Sequence, residues 1–83
     1  MTTIAALESG TRFVVRRVAL AREVGKRLAD MGFTDGSLGT VVRKSLFKGP
    51  LHVRIRDYDV VLRRSEADGI EVEPFFEKAA KDA

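Results

Sequence analysis

Apolar and polar positions change their rhythm near residue 32. Before it, Val24, Leu28 and Met31 recur at a four-then-three spacing that gathers them on one helical face, so a helix is predicted over roughly residues 21–31. Gly32 stands where a helix needs a left-handed C-terminal residue, and Phe33 follows where an apolar side chain can fold back onto the last turn. Gly36 supplies a second permissive position, so Thr34-Asp35-Gly36 reads as a tight turn that launches a strand. The helix lacks a strong N-cap, and Gly25 inside it costs about 1 kcal/mol relative to alanine. Glu23 lies four residues before Arg27, a favourable surface pair. So short a helix is marginal alone, and packing of its apolar face on a sheet must hold it.

Elsewhere the pattern is that of strands. Residues 11–18 and 40–44 are rich in β-branched side chains. The cleanest alternation follows, with Leu51, Val53 and Ile55 on one face and His52, Arg54 and Arg56 on the other. Arg56-Asp57 is short enough for a tight hairpin into a strand over residues 58–63, with Asp57 expected to take the positive φ such turns demand. Residues 65–69 suggest one helical turn and residues 70–72 a closing strand. The expected fold is mainly β: a small, partly closed barrel of about five strands with one inserted α-helix, in which curling removes exposed edges. Residues 1–74 form this domain and residues 75–83 a charged, alanine-rich tail. Phe75 and Phe76 are expected to cover one end of the core.

With 83 residues the chain makes one domain with a small core. It has no cysteine, which excludes disulfides and thiolate metal sites. No apolar leader is evident and no apolar run approaches the roughly 20 residues that cross a bilayer, so cytoplasmic residence is expected, with any membrane reached through a partner. Fifteen Lys and Arg against twelve Asp and Glu give a formal charge of +3, a modest excess concentrated between Arg43 and Arg56.

Catalytic chemistry finds no foothold. The single histidine, His52, shares its strand face with Arg54 and Arg56 and has no relay partner in sequence. None of the seven glycines forms a phosphate-cradling motif, so no nucleotide is expected to bind directly and no cofactor is implied. Asp57 with Asp59, and Glu71 with Glu73, are spaced to hold a divalent ion only loosely. The unusual feature is Leu46-Phe47-Lys48-Gly49-Pro50, an apolar pair in a loop between strands. It either folds over the open end of the barrel or is offered to a partner.

A helix ending Leu28-x-x-Met31-Gly32-Phe33, then Gly36, a strand, Pro50-Leu51, Tyr58, Leu62-Arg63, Ser65-Glu66-Ala67 and Ile70-x-Val72 resembles the FeoA family of bacterial ferrous iron uptake. The resemblance runs without gaps from about Leu7 to Val72. It implies an SH3-like barrel and a partner, the FeoB permease with its cytoplasmic G-protein domain, to which any GTP chemistry belongs. Three positions depart from the family pattern. Leu38 stands where polar residues are tolerated and Gly39 where an apolar one is common, which suggests a bulge there; Asp35 replaces a frequent proline. On this reading the protein is not an enzyme. A groove beside the helix and the 46–51 segment would receive an apolar stretch of the partner while arginines on its rim steer an acidic surface, giving Leu38, Leu46, Phe47, Lys48, Arg54, Arg56 and Tyr58 as candidate contact residues. Two alternatives remain: a nucleic-acid-binding barrel using the basic stretch, and a stand-alone relative of the SH3-like domain of DtxR-type repressors. Nucleic acid is not expected, because Asp57 and Asp59 interrupt the basic face.

Overall fold

The computed structural model describes residues 2–75. Strands β1 (Thr2–Thr3), β2 (Arg12–Val18), β3 (Leu38–Lys44), β4 (Leu51–Ile55), β5 (Tyr58–Leu62) and β6 (Ile70–Phe75) form one antiparallel sheet in the order β1-β6-β2-β3-β4-β5. Helix α1 (Arg22–Asp30) joins β2 to β3, and the single turn α2 (Arg64–Asp68) joins β5 to β6. The helix placement and the four central strands follow the hydrophobic pattern. β1 does not: Thr2 and Thr3 carry no periodicity, and they become a strand because they lie against Val72 and Glu71 of β6. A 3-10 turn, Ile4–Ala6, then delivers Ile4 and Ala5 into the core beside α2.

The end of α1 is built as its sequence requires. The Gly32 N–H donates to the Ala29 carbonyl and the Phe33 N–H to the Leu28 carbonyl, both at 3.0 Å, with Gly32 at φ +113°. This is the paired bond pattern that closes a helix through a left-handed residue, and the apolar contact that accompanies it is Phe33 against Leu28, both buried. Leu28 is the helix's fully buried residue, with Val24 and Met31 packed at the core's margin.

The alternation in β4 holds throughout, with Leu51, Val53 and Ile55 buried in one core cluster with Phe13, Val15 and Val41. Register through Leu38, Gly39 and Thr40 is unbroken, which corrects the expected bulge at this point: Phe13 pairs with Gly39, and Gly39 with Ile55. Glycine is required here for a different reason. A Cβ on residue 39 would lie 2.5 Å from Phe13 Cζ and 2.8 Å from the Arg54 carbonyl oxygen, so the phenylalanine ring fills the space of the missing side chain. The bulges fall at Arg16, between β2 and β6, and at Val42, between β3 and β4, where they bend the sheet toward closure.

β6 also runs further than its sequence suggests, through Pro74 to Phe75. Because the two residues of β1 cover only Glu71 and Val72, the rest of β6 is itself an edge, where a proline removes no ladder bond. Phe75 is half-buried and lies under the Arg12 guanidinium, 5.2 Å from its ring centroid, rather than in the core. Phe76 and the tail over residues 77–83 lie outside the described residues. The positive φ of the β4–β5 turn falls on Arg56, at 54°, and not on Asp57, the pattern of a two-residue turn whose first central residue is left-handed.

Gly39→Ala is expected to cost about 1–3 kcal/mol by overpacking against Phe13. Urea denaturation checks it, and a companion Phe13→Leu change should recover part of the loss.

Candidate functional site

β4 separates two exposed regions of different chemistry. At its C-terminal end a cross-strand row places Arg12, Thr40, Arg54 and Asp59 side by side on the outer face of β2 to β5. Arg12, Leu38, Gly39, Thr40, Arg54 and Arg56 line a shallow groove here of about 240 Å³. The Arg54 Nε donates to Asp59 Oδ1 at 3.0 Å and Nη2 reaches Oδ2 at 3.5 Å, a forked pair. That hydrogen bond holds the Asp59 carboxyl below the usual aspartate range, with the Arg54 and His52 charges adding to it, and raises the Arg54 guanidinium in return. Arg56 is held differently: its Nη2 donates to Ser37 Oγ at 3.2 Å and Thr34 Oγ1 at 3.5 Å, neutral partners that fix the guanidinium without cancelling its charge. Its aliphatic stem covers Gly32. Leu38 is 51% exposed beside it, and the Arg56 N–H donates to the Leu38 carbonyl. Tyr58, also exposed, completes this end.

The other end of β4 carries Leu46, Phe47 and Lys48 at the tip of the β3–β4 hairpin. Of the two readings of this apolar loop, folding over the core is ruled out by exposure: Phe47 is 95% and Leu46 80% accessible. Phe47 and Lys48 both have positive φ, 56° and 63°, and the Gly49 N–H donates to the Leu46 carbonyl at 3.3 Å. This is a turn that Asn-Gly would form without strain; bulky residues adopt it at a cost on the order of 1 kcal/mol each. The hairpin base is secured where the Lys44 Nζ donates to the Ala5 carbonyl and the Lys44 N–H to Ser9 Oγ.

The candidate residues therefore form two groups: Leu38, Arg54, Arg56 and Tyr58 at one end of β4, and Leu46, Phe47 and Lys48 at the other. A five-residue strand separates them by roughly 17 Å. The groove beside α1, of about 440 Å³, is lined by Arg27, Leu28 and Met31 with β5 and α2, and no residue of the 46–51 segment lines it. Sequence reasoning passed over Val61, 69% exposed at this groove. Its signal was the pair Val60-Val61, which alternation must split between the two faces. Glu66 organises the groove's far wall: its Oε1 accepts the Arg63 N–H at 2.9 Å and its Oε2 pairs with Arg27, tying α2 to α1.

Three of the four carboxylates considered for a metal are engaged by arginines. Asp59 is held by Arg54, Glu73 by Arg16 at 2.6 Å, and Glu71 lies 3.9 Å from Arg17. Among the described residues no three His, Asp or Glu side chains converge. His52, half-buried on the outer face, lies 3.5 Å from Asp59 Oδ1. Phe47 and Tyr58, exposed aromatics on which bases could stack, stand at opposite ends of β4. No helix among the described residues is long and apolar enough to cross a membrane.

Comparison with known proteins agrees with this geometry. The family model of the FeoA domain matches residues 2–74. A fusion of Fe(2+) transport protein A with Fe(2+) transporter FeoB from Porphyromonas gingivalis is 42% identical over 67 residues, covering 81% of this chain; the chain spans 8% of that relative's length. Among solved structures, the FeoA protein of Chlorobium tepidum superposes with a TM-score of 0.85 at 31% identity, over 90% of this chain and 71% of its own. The zinc complex of Stenotrophomonas maltophilia FeoA, described as an SH3 domain protein, gives 0.77 at 30% identity, over 88% and 91%.

Two outcomes follow from the geometry. In carboxyl NMR titration Asp59 should ionise below ordinary aspartates, and Arg54→Ala should return it toward them. Since its folded pKa is depressed, the pair's contribution is present above the unfolded value and fades as pH falls through the folded one; solvent screening of both exposed side chains keeps it small. Replacing Phe47-Lys48 by Asn-Gly should raise stability by about 1–2 kcal/mol in denaturant titration, through relief of the left-handed backbone.

Proposed function

The chain belongs to the FeoA family, and from that premise we propose that it is a cytoplasmic accessory of ferrous iron uptake which docks on the G-protein domain of a FeoB-type permease and modulates transport. One observation carries the reading: in the P. gingivalis relative the two partners share one polypeptide. Covalent linkage converts an encounter into an intramolecular contact at high effective concentration, an arrangement that favours modules acting on one another.

Within this reading the surface at the C-terminal end of β4 meets the permease. Leu38 and Tyr58 offer apolar area, while Arg56, its charge uncompensated by the hydroxyls that position it, and Arg54 at the rim steer an acidic patch. The tip residues Leu46, Phe47 and Lys48, candidates for the same contact, stand at the far end of β4 and would need a partner surface that wraps the sheet. The module contributes binding and no bond-making step; nucleotide hydrolysis stays with the partner.

Titration of the isotopically labelled chain with the FeoB G-protein domain should shift amides at residues 38–40 and 54–58. Leu38→Asp combined with Arg56→Glu should weaken binding at least tenfold and flatten its salt dependence, in a variant whose amide spectrum still shows the folded domain. An absence of any shift rejects the partner; shifts confined to other strands reject the surface.

A further inference from the structure

The β3–β4 tip has the shape and chemistry of a membrane-surface wedge. Leu46 and Phe47 are exposed at the tip of the hairpin, and none of residues 45–50 lines the two grooves described above. Left-handed backbone at Phe47 and Lys48 fixes the apex, and the bonds from Lys44 to Ala5 and Ser9 brace its base, so little ordering remains to be done on contact. Between Gly36 and Arg56 every charged side chain is basic: Arg43, Lys44, Lys48, Arg54 and Arg56. Arg43 and Lys48 are exposed on either side of the apolar pair.

We propose that this tip contacts an anionic lipid bilayer directly. Leu46 and Phe47 enter the boundary between headgroups and acyl chains, while Lys48 and Arg43 remain among the lipid phosphates with their stems along the apolar layer. A soft bilayer receives a hairpin tip without a preformed pocket, whereas a protein partner must supply a cavity matched to two side chains. The charge pattern favours anionic over zwitterionic lipid. Two apolar side chains and a few cations give weak, reversible association, weaker than a single acyl anchor, so the contact orients a module held near the membrane and does not retain it there alone.

The test uses the full chain and vesicles alone, without any permease, so its failure is separate from that of the docking reading. With vesicles containing one-third phosphatidylglycerol at millimolar lipid, co-sedimentation should exceed that with phosphatidylcholine vesicles at least fivefold and fall with added salt. Amide broadening should concentrate at residues 44–49. Leu46→Ser with Phe47→Ser should reduce binding at least fivefold, and Lys48→Glu severalfold, with heteronuclear spectra showing an intact fold. Equal sedimentation of the wild type and the double serine variant overturns the proposal. So does a double variant that binds vesicles normally but no longer binds the soluble FeoB domain, an outcome that assigns the tip to protein contact.

Discussion

The contact of Phe13 with Gly39 sets the geometry of the sheet. Because the ring of Phe13 occupies the space of a side chain at residue 39, β3 passes between β2 and β4 with its backbone pressed against the core. In a domain this small, two buried aromatics, Phe13 and Phe33, fill core space that several aliphatic residues would take in a larger one. The same close approach fixes what lies on the other face. With Gly39 directed inward, Leu38 and Thr40 turn outward, and Arg12 and Arg54 stand on either side of Thr40. The shallow arginine-lined groove is thus the reverse side of a packing solution in the core.

From that arrangement the surface divides along β4. One end is a set of arginines whose positions are fixed by a carboxylate, by hydroxyls and by an aromatic ring. Such fixed cations suit recognition, since little side-chain entropy remains to be lost on binding. The opposite end is apolar and projecting. The helix covers a third region, where the edge of β5, the base of α1 and the Arg27–Glu66 bridge enclose the larger groove. α1 contributes only Leu28 fully to the core, which leaves Met31 at the wall of that groove.

The parts of the fold that were legible from the sequence are those with local causes. The stop at Gly32 and Phe33 and the alternation through Ile55 each depend on residues close in sequence, and each is found where it was expected. The parts that were not legible have distant causes. Thr2 and Thr3 become a strand through β6, seventy residues away in the chain. Pro74 remains within a strand because β1 is too short to need its missing N–H. Gly39 suggested a bulge when read alone and proved to be the seat for a phenylalanine 26 positions earlier. Legibility of the candidate site divides in the same way. Of the two readings of the loop, folding over the core or being offered to a partner, the exposure of Leu46 and Phe47 removes the first; their separation from Leu38, Arg54 and Arg56 required the third dimension.

Strain gives the last step of the argument. Three described residues other than glycine have positive φ: Phe47, Lys48 and Arg56. They occupy the two turns that flank β4, in a chain whose seven glycines include left-handed ones at Gly10, Gly32 and Gly36. A hairpin that served only to reverse the chain would be more stable with glycine or asparagine at those positions. At Arg56 the side chain returns part of that cost through Ser37, Thr34 and the packing of its stem on Gly32. At Phe47 no such return exists, for its ring is almost wholly in solvent. An uncompensated bulky residue at a strained apex is the observation that most directly calls for a surface outside the molecule.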